Sequence, residues 1–192
     1  MYNPRKAAQI IAYFIIKNGK KPLAVLKAMK LVYLSDRESL KLWGFPMLDE
    51  LRVSMPHGPV NSDTYSYISG TQDASKVGWS HFLKDRENHN VGIAQRDIDL
   101  TDLDELSEAD IDCLNAVWDR FGHMDKWQIR DWTHNRANIP EWEDPNGSST
   151  PIPLERILLA LGKANPAEQA QVVEDFQGIN SVFANLEKRV AH

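Results

Sequence analysis

Cysteine is nearly missing from this chain. Cys113 is the single thiol in 192 residues, which closes off an internal disulfide and any multi-cysteine metal site, so a cytoplasmic, reducing setting is expected. Long apolar runs are missing as well. The most apolar stretch, IIAYFII at 10–16, falls well short of the roughly 18 residues that a membrane-crossing helix needs, and no small-residue cleavage site follows it as in a secretion signal. The motifs GxxxxGK[ST], GxGxxG after a strand, HExxH and GxSxG do not occur. The common nucleotide-binding, zinc-protease and hydrolase signatures are therefore excluded. There is no repeat, low-complexity tract or inter-domain linker, so solenoid and multi-domain readings fall away.

What is present is the composition of a folded domain, with 42% hydrophobic, 26% charged and 9% aromatic residues. The net charge is −5, but residues 1–41 carry nine Lys/Arg against two acids (+7), and the remainder carries thirteen against twenty-five (−12). Such a split predicts two oppositely charged surfaces, suited to steering a partner into register. Eight carboxylates crowd the segment from Asp97 to Asp112. It has no DxDxDG loop, so a solvated acidic surface is expected there, not calcium.

Periodicity and punctuation outline the fold. Asn3-Pro4 reads as an N-cap and first-turn proline ahead of Ile10, Ile11, Phe14 and Ile15 at helical spacing, with Gly19 as the stop. A second helix restarts at Pro22 and runs to Trp43 before Gly44. Leu51, Val53 and Met55 alternate with polar residues as a strand does, and Pro56 and Gly58-Pro59 turn the chain. A short helix capped by Ser62 follows, and WSHFLKD and VGIAQ around RENHN suggest a second hairpin. Ser107 with Asp110 forms a capping-box pattern ahead of Ile111, Leu114, Val117, Trp118 and Phe121. Asp125 opens a helix carrying Trp127, Ile129 and Trp132, Thr150-Pro151 opens another, and Asn165-Pro166 opens the last, with Val172, Val173, Phe176, Ile179 and Val182 on its apolar side. The expected fold is mainly α: a compact helical domain of six or seven helices with a small β-hairpin or short antiparallel sheet drawn from residues 47–56 and 79–95.

Chemistry concentrates in two neighbouring segments. In KLVYLSDRESL, Lys30, Tyr33 and Arg37 stand at i, i+3 and i+7 on one helix face, with Asp36 beside Tyr33. In SMPHGPV, Gly58 opens backbone angles closed to other residues and Pro59 stiffens a turn that presents His57. These residues read either as a recognition face or as core and surface bonding of an ordinary domain. Six scattered histidines without thiolate partners give no metal-ligand spacing. No catalytic residue, metal or cofactor is assigned.

The run KLVYLSDRESLKLWGFPM followed by MPHGPVNSDTYSYI, with the later block LSEADIDCLNAVWDRFGHMDKWQIRDWTHNRANIPEW, resembles the Panacea domain, the SocA-like antitoxin family. The resemblance spans about residues 5–160. Its pattern falls on Lys30, Leu31, Tyr33, Leu34, Asp36, Gly44, Gly58, Pro59, Val60, Gly122, His134 and Trp142. It divides the chain into a Panacea domain over 1–163 and a C-terminal helical extension over 164–192 packed on the same domain. It implies an antitoxin, not an enzyme, that binds a cognate toxin encoded nearby, in some members prophage-borne or acting as an adaptor that delivers the toxin to a protease, with room for a homodimer. The residues expected to form or border the partner surface are Lys30, Tyr33, Asp36, Arg37, His57, Gly58, Pro59, Val60, His134 and Trp142. Two other classes compete. One is an enzyme in which His57, Asp36 and His134 converge with Lys30 or Tyr33. The other is a nucleic-acid-binding regulator using Lys17, Lys20, Lys21 and Lys27, disfavoured for want of a helix-turn-helix pattern.

Overall fold

The computed structural model describes residues 1–190. Among them are eight α-helices and two small antiparallel sheets, so the domain is mainly α with short β elements. Helix α1 (Pro4–Lys17) starts where Asn3 accepts from the Lys6 amide at 3.1 Å, with proline in the first turn. It buries nine consecutive residues, Ala7 through Ile15, and so lies inside the domain rather than on it. Helix α2 (Val25–Trp43) ends on Gly44, whose φ of +80° is left-handed. It begins later than Pro22 predicts because Leu23–Ala24 is a strand, β1, paired with Asn90–Val91, which will be called β4.

The main sheet forms around a tight hairpin. Strand β2 (Arg52–Met55) pairs with β3 (Gly58–Asn61) through a Pro56–His57 turn, register Met55 with Gly58 and Val53 with Val60. Pro56 and Gly58-Pro59 are expected to turn the chain together, whereas Gly58 and Pro59 already belong to the buried strand over 58–61. Helix α3 (Ser62–Ser69) follows with no side-chain cap, so the expected Ser62 cap is absent. The expected hairpin in segment 79–95 is present around RENHN, where Leu83 bridges Ile93 and Glu87 bridges Asn90, but its first residues, α4 (Trp79–Phe82), form one helical turn instead of strand.

Helix α5 (Glu108–Phe121) opens with the predicted reciprocal capping box between Ser107 and Asp110, and α6 (Lys126–His134) opens with another between Asp125 and Gln128. Thr150–Pro151 is not a helix start. It is β5, a third strand on β2, and α7 (Leu154–Ala160) begins after Pro153. The one-turn α4 brings the helices among the described residues to eight, one above the six or seven expected. Helix α8 (Pro166–Val190) closes the described chain, packed through its first turns on α7.

One core runs through α1, α2, α5, α6 and the hairpin. Trp118 stacks on Phe14 with centroids 6.0 Å apart, and Trp132 meets Phe121 edge-on at 4.7 Å. Both rings border the core that fully buries Tyr33. The charge split is partly consumed inside the molecule. Arg5 of α1 bonds Asp104 at 2.9 Å and Lys6 bonds Asp110 at 2.9 Å, so the acidic segment faces the basic helix of its own chain as well as solvent.

Candidate functional site

Helix α2 organises three polar knots, each tying it to a different segment. The first lies under the hairpin. Lys30 is fully buried, and its Nζ donates to the Pro59 carbonyl at 2.8 Å, with no carboxylate partner among the described residues. Burial accordingly pulls its ammonium down to about 7. His134, at the end of α6, stacks on Trp142 with centroids 4.6 Å apart and an interplanar angle of 13°. Its Nε2 is buried without a hydrogen-bond partner among the described residues. Burial, then the positive field of Lys30, holds its imidazole below the usual range. Gly58 sits over both side chains at φ +92°; a Cβ there would lie 2.9 Å from Lys30 Nζ and 2.9 Å from His134 Cδ2. Trp142 Nε1 donates to the Met55 carbonyl at 3.2 Å, fixing the hairpin from the other side.

The second knot surrounds Asp36. Its carboxylate accepts from Arg52 Nε at 2.6 Å and from the Leu48 amide at 3.1 Å, and Arg52 also donates to the Leu48 carbonyl at 2.6 Å. Asn61 links it to Glu50, whose carboxylate accepts from the Thr64 amide at 2.8 Å and the Thr64 hydroxyl at 2.6 Å. Desolvation pushes Glu50 up to about 7. The third knot is on Glu141, which is 0% exposed and accepts from the Tyr33 hydroxyl at 2.9 Å and Arg37 Nε at 2.6 Å. Burial and then the Glu141 charge raise the Tyr33 phenol well above its ordinary value.

The ten residues singled out from sequence thus divide. Lys30, Gly58, Pro59, Val60, His134 and Trp142 come together under the hairpin, and His57 is exposed at its tip. Tyr33 and Arg37 go to Glu141, and Asp36 goes to Arg52. Asp36 therefore serves a different knot from His57 and His134. The partners Glu50, Arg52, Asn61, Thr64 and Glu141 carry no periodic signal of their own. Only the unsatisfied needs of a buried Lys, Asp and Arg on one helix announce that such partners exist.

Beside the first knot opens a cleft of about 810 Å³, bounded by α2, the hairpin tip, Arg86, His89, Lys126 and Trp127. Met29, Met55 and Val60 give it an apolar wall. Its basic groups are Lys30, His57, Arg86, His89 and Lys126, and no carboxylate lines it among the described residues. Trp127 is 50% exposed at its rim, flanked by Lys126 at 5.0 Å and Arg130 at 4.8 Å from the ring centroid. The sequence reading groups Trp127 with Ile129, but residues two apart on a helix face different ways, and Ile129 is the buried one.

A family model, Antitoxin SocA-like, Panacea domain, matches residues 28–143, from the first turn of α2 through the Trp142 loop. The chain belongs to this family. The matched span of the Panacea domain contains all three knots and the hairpin, while α1, α7 and α8 lie outside it. No curated protein and no solved structure matches the chain. Among the described residues no helix is long and apolar enough to cross a membrane, and no group of three or more His, Cys, Asp or Glu is placed to hold a metal.

Proposed function

We propose that this protein is an antitoxin that neutralises a cognate protein toxin, encoded nearby, by direct stoichiometric binding in the cytoplasm, without turnover of its own. Membership of the SocA-like family supports this reading. The observation that carries it to a surface is the cleft at the hairpin, where an apolar wall and an exposed tryptophan meet a rim whose charged groups among the described residues are all basic. Trp and Arg are the residue types that dominate binding energy at protein interfaces. In this proposal His57, Trp127, Arg86 and Lys126 touch the toxin. Lys30, Gly58, Pro59, Val60, His134 and Trp142 hold the hairpin in shape behind them, and Tyr33, Asp36 and Arg37 fix α2. The buried Lys30 amine is the feature a catalytic reading would use. It is fully covered and bonded to Pro59, which favours scaffold.

Co-expression rescue and pull-down with the product of the adjacent gene test the proposal. Wild type is expected to rescue growth and co-purify at one to one. Trp127→Ala and Arg86→Glu, both at exposed positions, should stay folded and lose rescue. Rescue by both variants at wild-type dose rejects the cleft as the docking surface. Absence of any association at low salt rejects the antitoxin reading itself, and substoichiometric rescue with a modified toxin would mean an enzyme.

A further inference from the structure

Positive charge around the cleft beside the hairpin goes unanswered. Elsewhere Arg5, Lys6, Arg37, Arg52 and Arg156 each reach a carboxylate within 3.2 Å. Arg86, Lys126, His57 and His89 line the cleft from exposed positions, and among the described residues none of their side chains enters an ion pair or a hydrogen bond. Ser148 and Ser149 add two exposed hydroxyls that are equally unpartnered among the described residues. Behind the wall, Lys30 has one bond to the Pro59 carbonyl and His134 Nε2 has none among the described residues. Much of the remaining wall is apolar, and two rings belong to it, half-buried Tyr65 and half-exposed Trp127. Lys126 and Arg130 stand 5.0 and 4.8 Å from the Trp127 centroid. They steady that ring at the rim, so less of its freedom is lost when something packs on it.

We infer that this cleft is a binding site for a nucleoside phosphate. Its volume of about 810 Å³ is that of a small-molecule site, and its apolar wall with a few convergent donors is the usual make-up of one. The donors select an anion, because the lining offers cations and hydroxyls but no carboxylate among the described residues. Arg86 and Lys126 supply two fixed positive charges, which match the charge of roughly −2 on a phosphate monoester better than the single charge of a carboxylate. A guanidinium also presents the planar fork that phosphate oxygens accept. The rings and the methionine wall select a flat apolar body, since a bare phosphate would leave them in water. Stacking on tryptophan and tyrosine serves any nucleobase, so the site sets the class of ligand without choosing the base. The groups that would hold this ligand are those proposed to touch the toxin, so the two compete for the cleft. That competition rests on the toxin reading, whereas the binding itself does not.

The test is isothermal titration calorimetry on the full chain without any partner, using adenosine monophosphate and guanosine monophosphate as probes and adenosine and inorganic phosphate as controls. Both nucleotides are expected to bind with Kd of about 10–100 µM, and both controls at least about tenfold more weakly. Arg86→Glu and Trp127→Ala, at exposed positions where the fold is not at stake, should each weaken nucleotide binding by about tenfold or more. Lys84→Glu makes the same change of charge at an exposed position outside the cleft lining, and should leave the affinity unchanged. Absence of binding at about 1 mM nucleotide, phosphate binding as tightly as the nucleotides, or an affinity indifferent to both cleft substitutions overturns the inference. A toxin that co-purifies while the nucleotides fail to bind overturns the inference and leaves the proposed function standing. Nucleotide binding to the cleft without any toxin association does the reverse.

Discussion

Gly58 is where backbone and packing demands coincide. Its φ of +92° is costly for any residue with a Cβ, and a Cβ would have to enter the space between Lys30 Nζ, His134 Cδ2 and Thr133 Oγ1. Gly58→Ala should therefore cost about 2–4 kcal/mol, adding left-handed strain to overpacking against buried groups. Chemical denaturation measures it, and a loss under about 1 kcal/mol would show that the hairpin gives way easily. Two buried ionisable groups set a second expectation. Glu50 is raised to about 7, so the folded state holds its proton more tightly than the unfolded state, and stability falls as pH rises from about 4.5 to 7. Lys30 is lowered to about 7, so the unfolded state binds the proton more tightly, and stability rises as pH climbs from about 7 to 10.5. These two groups together place a dip in stability near neutrality. Glu50→Gln should flatten the acid arm and Lys30→Met the alkaline arm in unfolding midpoints measured against pH.

Helix α2 shows what a sequence discloses of an element and what it withholds. Its start is displaced from Pro22 to Val25 by the β1–β4 pairing, but its C-terminal end at the Gly44 stop and the shared face of Lys30, Tyr33 and Arg37 are readable from spacing, because a helix period is local. That Asp36 seeks Arg52, or that Tyr33 and Arg37 meet at Glu141 more than a hundred residues on, is not. Those partners are chosen by how β2 and the Trp142 loop fold back on the helix. The same limit hid β3: with a two-residue turn at Pro56–His57, GPVN pairs back along β2, though its residues alone resemble loop. The cleft was legible only in part. His57 and Lys30 mark one wall, but Arg86, His89 and Trp127 reach it from segments with no sequence signal linking them. The buried Asp36–Arg52 pair carries this element's prediction. Asp36→Ala leaves Arg52 charged and without its carboxylate at 6% side-chain exposure, a change expected to cost about 3–5 kcal/mol. Asp36→Ala with Arg52→Met should recover much of that loss in a double-mutant cycle, and strictly additive losses would mean that the pair is not coupled.

At the scale of the whole molecule, the sequence arithmetic of +7 against −12 overstates the dipole available to a partner. Arg5 and Lys6 spend their charge on Asp104, Glu105 and Asp110 within the chain. One basic surface left without such neutralisation is the cleft, whose Arg86 and Lys126 are exposed and whose wall has no carboxylate among the described residues. On a chain of net charge −5, the cleft is thus a local site of attraction for an acidic segment, which in the proposed function belongs to the toxin. Exposed charges act mainly on encounter and are screened over about 8 Å at physiological ionic strength, while a desolvated ring acts mainly on residence. Toxin association should then slow by about tenfold between low and moderately high salt, with the dissociation rate nearly constant. Arg86→Glu should reproduce the slow association at low salt and lose most of the salt dependence, whereas Trp127→Ala should speed dissociation at every salt concentration. Stopped-flow or surface-based kinetics with the adjacent gene product resolve the two rates. If salt acted equally on both, or if Trp127→Ala altered only the approach, the division between a basic rim and an apolar anchor would be wrong.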